Sequence, residues 1–368
     1  MRLFYIVLSQ FLSGSIWFAA NVAYQSQGLL LSAVQFGFII GTLVFAVLNI
    51  SDRFSPAGVF FCCSLSGAIF NFSGIFLGDH EIYLLLSRLA CGITLAGIYP
   101  VGMKIAASWY PITISRALGW LVGALVLATG FPYLVKVFSL EGNSGIILVA
   151  TSILCFLGGL IQLVFVGDGP HLPKGSKFDF GVIKKVFAHP GFRAASFGYF
   201  GHMWELYALF AYAPLLIKTI VKNNVDLWSF LFFVAGFAGC SLGGLAALKT
   251  GSRFIALSSL FVSGFICLIS PVIVLLPQGV ALSIIMIWGS AVVADSPQFS
   301  SLNTQFAPKA YVGSALTIVN CVGFLITIVT IELLGFWVDW FGIQTAFLPL
   351  LPGPIFGWFA LKRYKSKE

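Results

Sequence analysis

Charged residues are scarce in this sequence: Asp, Glu, Lys and Arg make up 9% of its 368 residues, whereas a soluble domain normally carries about 25%. Hydrophobic residues reach 59%, and the mean hydropathy is +1.00. A water-soluble fold could not bury so much apolar surface, whereas lipid can solvate it, because a spanning helix satisfies its own backbone hydrogen bonds. A soluble enzyme is the least favoured class, and an all-α polytopic membrane protein is predicted.

The sequence also lacks the short motifs of nucleotide- or metal-dependent chemistry. It has no GxxxxGK[ST] segment for ATP and no HExxH zinc motif. Its seven cysteines stand in apolar stretches without CxxC or His spacing, and we interpret them as small packing residues. We therefore expect no cofactor, no metal ion and no catalytic residue. Any work done across the membrane would draw its energy from a gradient.

About twelve apolar segments, each near the roughly 20 residues that cross a bilayer, remain when the chain is divided at its charged and Gly/Pro-rich stretches. The first could be mistaken for a secretory signal peptide, but the similar segments that follow it favour a retained first span. The predicted spans are 3–23, 32–50, 57–77, 82–107, 117–137, 145–166, 191–217, 226–248, 253–275, 279–301, 312–335 and 342–361.

The basic residues fall mainly on one side of this predicted topology. With the N-terminus inside, the outer loops hold only Lys136, Lys218 and Lys222, and the remaining loop Lys and Arg residues are cytoplasmic. The positive-inside rule therefore places both termini in the cytoplasm. This asymmetry explains the net charge of +8 without a nucleic-acid partner. The short loops favour a multi-pass protein of a bacterial inner membrane, which we expect to be a monomer in the lipid bilayer.

An internal repeat divides the chain into halves. Two prolines recur at the same offset: Pro100 and Pro111 match Pro297 and Pro308. The segment 167–190 is the longest polar stretch and reads as a linker. An internal repeat of this kind predicts two six-span halves that rock about a central site. The predicted domains are a six-helix bundle over 1–166, a cytoplasmic linker over 167–190 and a second six-helix bundle over 191–368.

The fourth predicted span carries Arg88, Gly92 and Gly97 in the spacing RxxxGxxxxG. Its loop continues with Trp109-Tyr110-Pro111 and then Arg116 to Gly119. Both segments resemble signatures of the major facilitator superfamily of secondary transporters, and the likeness covers essentially the whole chain. The resemblance implies two pseudo-symmetric six-helix bundles that work by alternating access.

The loop after the second span also resembles the family. It holds Asp52 and Arg53, which are similar to the pair of the family's gating motif. Leu48 stands where that motif has glycine, so the gating role departs from the family pattern.

Two further segments bear on the type of transport. The fifth span resembles the family's antiporter motif at its glycines, but Ala124 stands in place of the motif's proline, so proton-driven drug antiport is not supported. Residues 294–300 resemble the nitrate/nitrite and cyanate-like porter branch.

Three ionisable residues stand inside predicted spans, where each costs about 2.5 to 3.5 kcal/mol unless it is paired, hydrated or functional. They are Arg88, Glu205 and Asp295. The resemblance implies that they surround the family's central cavity, where they would bind substrate or protons. The alternatives are a structural ion pair for Arg88 or Glu205, and a helix-terminal charge for Asp295, which precedes a kinking Pro297. His202, one turn before Glu205, would relay protons or simply pack.

The other candidates for binding solute are polar or aromatic residues with simple structural alternatives. Lys104 would attract an anion or reach the interface by snorkelling. Trp17 and Asn21 share a helical face and would contact solute, or anchor and bridge helices. Gln298 and Asn320 would likewise contact solute or bridge helices.

The sequence therefore predicts a secondary active transporter that moves a small solute, favoured to be an anion, together with protons. The first rival is an exporter of hydrophobic or zwitterionic compounds. The second is a membrane receptor or assembly component that moves no solute.

Overall fold

A computed structural model describes residues 1–26, 28–78, 80–111, 113–139, 144–172, 181–308 and 311–364. The chain forms two compact units, Met1–Gly175 and Ser176–Glu368. The described residues of both units are helical and contain no β-strand. The division falls inside the predicted linker, of which residues 173–180 lie outside the described part.

The first unit contains nine α-helices and ends in a π-helical turn in its described part. The helices are α1 (Arg2–Gly14), α2 (Ala19–Ala23), α3 (Leu29–Val47), α4 (Ile50–Arg53), α5 (Pro56–Leu77), α6 (Glu81–Leu95), α7 (Tyr99–Trp109), α8 (Ile114–Phe138) and α9 (Ser144–Ile161), with the π-helical turn at Gln162–Val166.

The second unit begins, in its described part, with a short helix that the sequence did not predict within the linker. Its helices are α10 (Val182–Ala188), α11 (Pro190–Ile220), α12 (Val225–Thr250), α13 (Ser252–Ile273), α14 (Gln278–Ala294), α15 (Ser296–Phe306), α16 (Val312–Phe341) and α17 (Pro352–Arg363), with 3-10 turns at Ile343–Thr345 and Leu348–Leu350.

Ten segments among the described residues are long and apolar enough to cross a membrane, and they coincide with ten of the predicted spans. The predicted spans 3–23 and 191–217 are not among them. The first is divided into two short helices, and the second is the 31-residue α11, which carries His202 and Glu205. Large apolar side chains such as Phe76 and Leu275 remain more than two-thirds exposed, as expected for a surface that faces lipid.

The interruption of the first span has a local cause. The Ser15 hydroxyl donates to the Leu12 carbonyl at 2.7 Å, and the chain leaves the α-helix over residues 15–18. Hydroxyl groups that bond their own backbone compete with the helix in this way. The segment 342–361 is likewise α-helical only from Pro352, and Pro349, which stands before it, lacks the N–H group that a continuous α-helix needs.

The fourth and tenth spans are interrupted at equivalent places. Residues 96–98 separate α6 from α7, and Asp295 alone separates α14 from α15. Pro100 and Pro297 stand in the first turns of α7 and α15, where their missing N–H groups cost least. The kink predicted at Pro297 is thus confirmed as a helix break.

Glycines allow two helix pairs to approach closely in the two units. A Cβ atom on Gly92 would lie 2.1 Å from the Val34 carbonyl oxygen, so α6 packs directly against the backbone of α3. In the second unit, a Cβ atom on Gly289 would lie 2.7 Å from the Phe232 ring, where α14 meets α12. Such contacts through small residues hold membrane helices together without a hydrophobic driving force.

Candidate functional site

Glu205 is buried in the second unit and is surrounded by hydrogen-bond donors. Its Oε1 atom accepts hydrogen bonds from Trp288 Nε1 at 2.7 Å, from the Ser263 hydroxyl at 2.5 Å and from Cys267 Sγ at 3.2 Å. The donors come from α13 and α14, whereas Glu205 comes from α11. The side chain is 1% exposed. A buried carboxyl group is therefore held by neutral donors that three helices bring together.

His202 lies one turn before Glu205 but pairs with a different carboxyl group. Its Nδ1 atom is 2.9 Å from Asp295 Oδ1, and both side chains are buried. Asp295 reaches this position because it stands at the break between α14 and α15. The sequence predicted all three residues as candidates, and the structure joins His202 to Asp295 rather than to Glu205. We call His202, Glu205, Ser263, Trp288 and Asp295 the carboxylate cluster.

The carboxylate cluster combines three titratable side chains in one buried region. His202 Nε2 is buried and has no hydrogen-bond partner among the described residues. An imidazole paired at Nδ1 and open at Nε2 can accept or release a proton at the open nitrogen. The cluster therefore has the chemistry to hold a proton at more than one atom.

Arg88 is buried in the first unit and is bound by neutral oxygen atoms. Its Nη1 donates to Asn71 Oδ1 at 2.8 Å, and its Nη2 donates to the Phe70 carbonyl at 3.1 Å and to the Ser87 hydroxyl at 3.2 Å. The Asn71 amide group is fixed in turn by Thr151 and Ser152 of α9, both at 2.9 Å. We call these residues the Arg88 network.

The Arg88 network leaves a positive charge unneutralised by any carboxylate that the structure describes. The ion pairs of the described residues involve Lys104 and His202, not Arg88. Its Nε atom is also buried without a hydrogen-bond acceptor in that part of the chain. The described residues therefore do not give Arg88 the ion pair between helices that was the structural alternative. A buried guanidinium group of this kind attracts anions.

Lys104 binds the predicted gating loop. Its Nζ atom donates to the Ser51 carbonyl at 2.6 Å and forms an ion pair with Asp52 on α4. This contact agrees with the snorkelling alternative, because the long side chain reaches the end of its span. Arg53, the other residue of the predicted gating pair, is exposed.

The remaining predicted residues lie on different elements of the two units. Trp17 is buried against Phe38, with ring centroids 5.2 Å apart, but the helix break removes the helical face that it was predicted to share with Asn21. Asn21 Nδ2 donates to the Ser26 carbonyl at 2.9 Å. Gln298 is buried on α15, and Asn320 is half-buried on α16.

Sequence reasoning missed several buried polar residues. Gln10 and Gln35 are fully buried, and neither amide group has a hydrogen-bond partner in the described part of the chain. Asn71, Ser263 and Trp288, which hold Arg88 and Glu205, were also missed. The same argument that singled out ionisable residues inside spans applies to a lone amide, because its unsatisfied polar atoms are costly there. That signal could have found Gln10, Gln35 and Asn71.

Comparisons with known proteins agree with this architecture. The human organic anion transporter MFSD10 (TETRAN), known from a crystal structure, has a similar fold, with a TM-score of 0.74 at 15% sequence identity. The similarity covers 98% of each chain. No protein with a curated description matches in sequence. The sequence profile described as Major Facilitator Superfamily matches residues 2–331. Since that match spans most of the 368 residues, the chain belongs to the major facilitator superfamily, a family of membrane transporters.

Proposed function

We propose that the chain is a secondary active transporter that moves a small anion together with protons by alternating access between its two units. The carboxylate cluster is the observation that carries this proposal. Three titratable side chains in the interior of membrane-spanning helices are costly to keep, and such residues are typical of proton pathways. The carboxyl groups of Glu205 and Asp295 and the open His202 Nε2 atom give the protons places to bind.

Proton binding would alter the pairing within the cluster. A proton on Asp295 removes the negative charge that holds the His202 ring, and a proton on Glu205 turns an acceptor into a donor. The first change weakens the contact between α11 and the α14–α15 break, and the second weakens the contacts that join α11 to α13 and α14. The proposal is that these helices exchange partners as protons enter and leave, which couples the gradient to the change of access.

The solute is proposed to be an anion because of Arg88. Its guanidinium group is fully buried among neutral oxygens of the Arg88 network, and the described residues offer it no carboxylate. An incoming carboxylate or oxyanion would supply the missing negative charge. The human protein of similar fold is described as an organic anion transporter. That description agrees with the proposal, but at 15% identity the similarity shows only a shared fold.

The proposed topology has twelve spans in a bacterial inner membrane, with both termini in the cytoplasm. Two spans are added to the ten apolar segments. One is α1 with α2, which together cover 2–23, and the other is α11, whose 31 residues extend about 45 Å and exceed the roughly 30 Å of hydrocarbon. His202 and Glu205 of the carboxylate cluster lower the hydropathy of α11, together with Arg193 and Lys218 near its ends.

A two-step experiment tests the proposal. A thermal-shift screen of small carboxylates, inorganic oxyanions, and neutral and zwitterionic compounds, run on purified protein, identifies the solute that stabilises it, which we expect to be an anion. Uptake of the labelled anion into proteoliposomes is then measured with and without an inward-directed proton gradient. We expect the gradient to drive accumulation above equilibrium and a protonophore to abolish that accumulation. Uptake that ignores the gradient contradicts proton symport, and stabilisation by neutral or zwitterionic compounds alone favours the exporter.

A further inference from the structure

An open groove of about 1030 Å³ runs along the surface of the second unit between α11 and α17. Arg193 lines it from α11, and Arg363 lines it from the last turn of α17. The rest of its wall is largely apolar and includes Phe197, Phe356 and Leu351. We call this feature the α11–α17 groove. It has a cationic end and an apolar body, which complement the anionic phosphate and the acyl chains of a phospholipid.

The cationic end of the groove has no acidic partner in the part of the chain that the structure describes. Arg193 and Arg363 are both exposed, and neither forms an ion pair there. The described acidic side chains of this unit lie on α11, on α12, on α16 and at the α14–α15 break, and none of them lines the groove. Two guanidinium groups in this position can bind a phosphate with charge-assisted hydrogen bonds.

The end of α17 is held in a fixed orientation, so Arg363 is presented to the groove. Arg253 Nη2 donates to the Lys362 carbonyl at 3.1 Å and so joins this end to α13. The ammonium group of Lys362 itself lies 4.1 Å from the Trp358 ring centroid, in a cation–π contact. Of the two adjacent cations, only Arg363 therefore lines the groove.

The dimensions of the groove match one leaflet of a bilayer. The 12 residues of α17 rise about 18 Å, which is close to half of the roughly 30 Å hydrocarbon thickness. Phe356 and Phe359 are about half exposed along this length, so an acyl chain could cover them. The arginines would then lie at the level of the lipid phosphates, where basic pockets between membrane helices bind anionic head groups.

We propose that the α11–α17 groove binds an anionic phospholipid, with its phosphate on Arg193 and Arg363 and an acyl chain along α17. The proposed topology assigns the lipid to the cytoplasmic leaflet, but the binding itself does not depend on transport. A protein that failed every uptake assay would still bind the lipid, so the two proposals fail separately.

Native mass spectrometry of the purified, delipidated full chain tests the proposal, with palmitoyl-oleoyl-phosphatidylglycerol as the probe. We expect the double variant Arg193→Gln with Arg363→Gln to raise the Kd for this lipid by about 30-fold, since each basic residue near an anionic surface contributes about 1 kcal/mol. Binding of the zwitterionic palmitoyl-oleoyl-phosphatidylcholine should stay unchanged. The matched control Arg116→Gln with Lys249→Gln removes the same charge from exposed sites outside the groove and should leave both lipids unaffected.

A second variant separates a lipid from a free phosphate. Ala360 lines the groove and is half-buried, so Ala360→Phe fills the space for the acyl chain and keeps both arginines. We expect this variant to weaken phosphatidylglycerol binding as well. An unchanged Kd in the arginine variant overturns the proposal, as does effective competition by glycerol 3-phosphate, which has the head-group charge without the chain.

Discussion

Glu205 accepts hydrogen bonds on one oxygen atom, Oε1, from Trp288, Ser263 and Cys267. Glutamine has the same shape and keeps an oxygen that accepts such hydrogen bonds, but it cannot take up a proton. The substitution therefore separates the proposed proton-binding role of Glu205 from its structural role.

We expect Glu205→Gln to reduce proton-driven accumulation to the level of protein-free liposomes and to spare counterflow exchange of solute. The reason is that exchange requires the site to change access while loaded, whereas net accumulation also requires a proton to be carried. Both activities are measured in proteoliposomes, with labelled solute and an imposed pH gradient in the first assay only.

Glu81→Gln is the matched control, since Glu81 is exposed in the first turn of α6. It should behave as the unmodified protein in both assays. Equal loss of accumulation and exchange in Glu205→Gln would assign a structural role to this residue, and retention of both would remove it from the proton pathway.

At the residue scale, the sequence predicted which charged side chains stand inside spans, and the structure buries them, but it did not predict what they contact. The cost of an ionisable group in lipid was sufficient to single out Arg88, Glu205 and Asp295. Their partners depend on how distant helices pack: Trp288 lies 83 residues from Glu205 along the chain. Helical spacing alone suggested that His202 relays protons together with Glu205. The helix break at Asp295 instead brings a nearer carboxylate to the imidazole ring.

At the scale of the helices, most apolar segments were predictable from length and composition, and their interruptions were harder to predict. Prolines indicate where a helix can break, and the break before Pro297 followed from that rule. The break at residues 15–18 contains no proline and depends on a serine that bonds its own backbone. Local sequence allows such a turn without requiring it.

Close packing of α3 on α6 leads to a prediction about stability. Gly92→Ala would place a methyl group 2.1 Å from the Val34 carbonyl oxygen, so the helices must separate. We expect a destabilisation of about 1 to 3 kcal/mol, as for other overpacked sites. The measurement is the midpoint of thermal unfolding, followed by the monomer peak in fluorescence-detected size-exclusion chromatography.

Gly279→Ala provides the comparison for this prediction. Gly279 is in the first turns of α14, and a Cβ atom there meets nothing within 4 Å. Alanine favours helix by about 1 kcal/mol over glycine, so this variant should match or exceed the original midpoint. Equal midpoints for the two variants would argue against close α3–α6 contact in the folded protein.

At the scale of the whole molecule, the distribution of basic residues makes the topology testable. A green fluorescent protein fused after Glu368 should fluoresce, because its chromophore matures in the cytoplasm. Alkaline phosphatase inserted at Asn223, in the predicted outer loop between α11 and α12, should be active only outside the cytoplasm. Both signals are measured in intact bacterial cells.

The two reporters together test the span count in the second half. One reporter on each side requires an odd number of crossings between residue 223 and the C-terminus, and the proposed topology has five. Reporters on the same side would contradict it. The sequence could predict this arrangement because every spanning segment must be apolar and about 20 residues long. The packing of helices within each unit depends instead on side-chain shape.

Gly92 and Gly289, which bring neighbouring helices together in the two units, precede Pro100 and Pro297 by the same number of residues. The same alignment pairs Arg88 with Ile285, and Asp295 with Ile98; both isoleucines are buried. The repeat thus extends to glycines that pack the helices, while the cation of one half and the acid of the other have no charged counterpart at the equivalent position. The two halves therefore share their pattern of glycines and prolines and differ in the buried charges that each one holds.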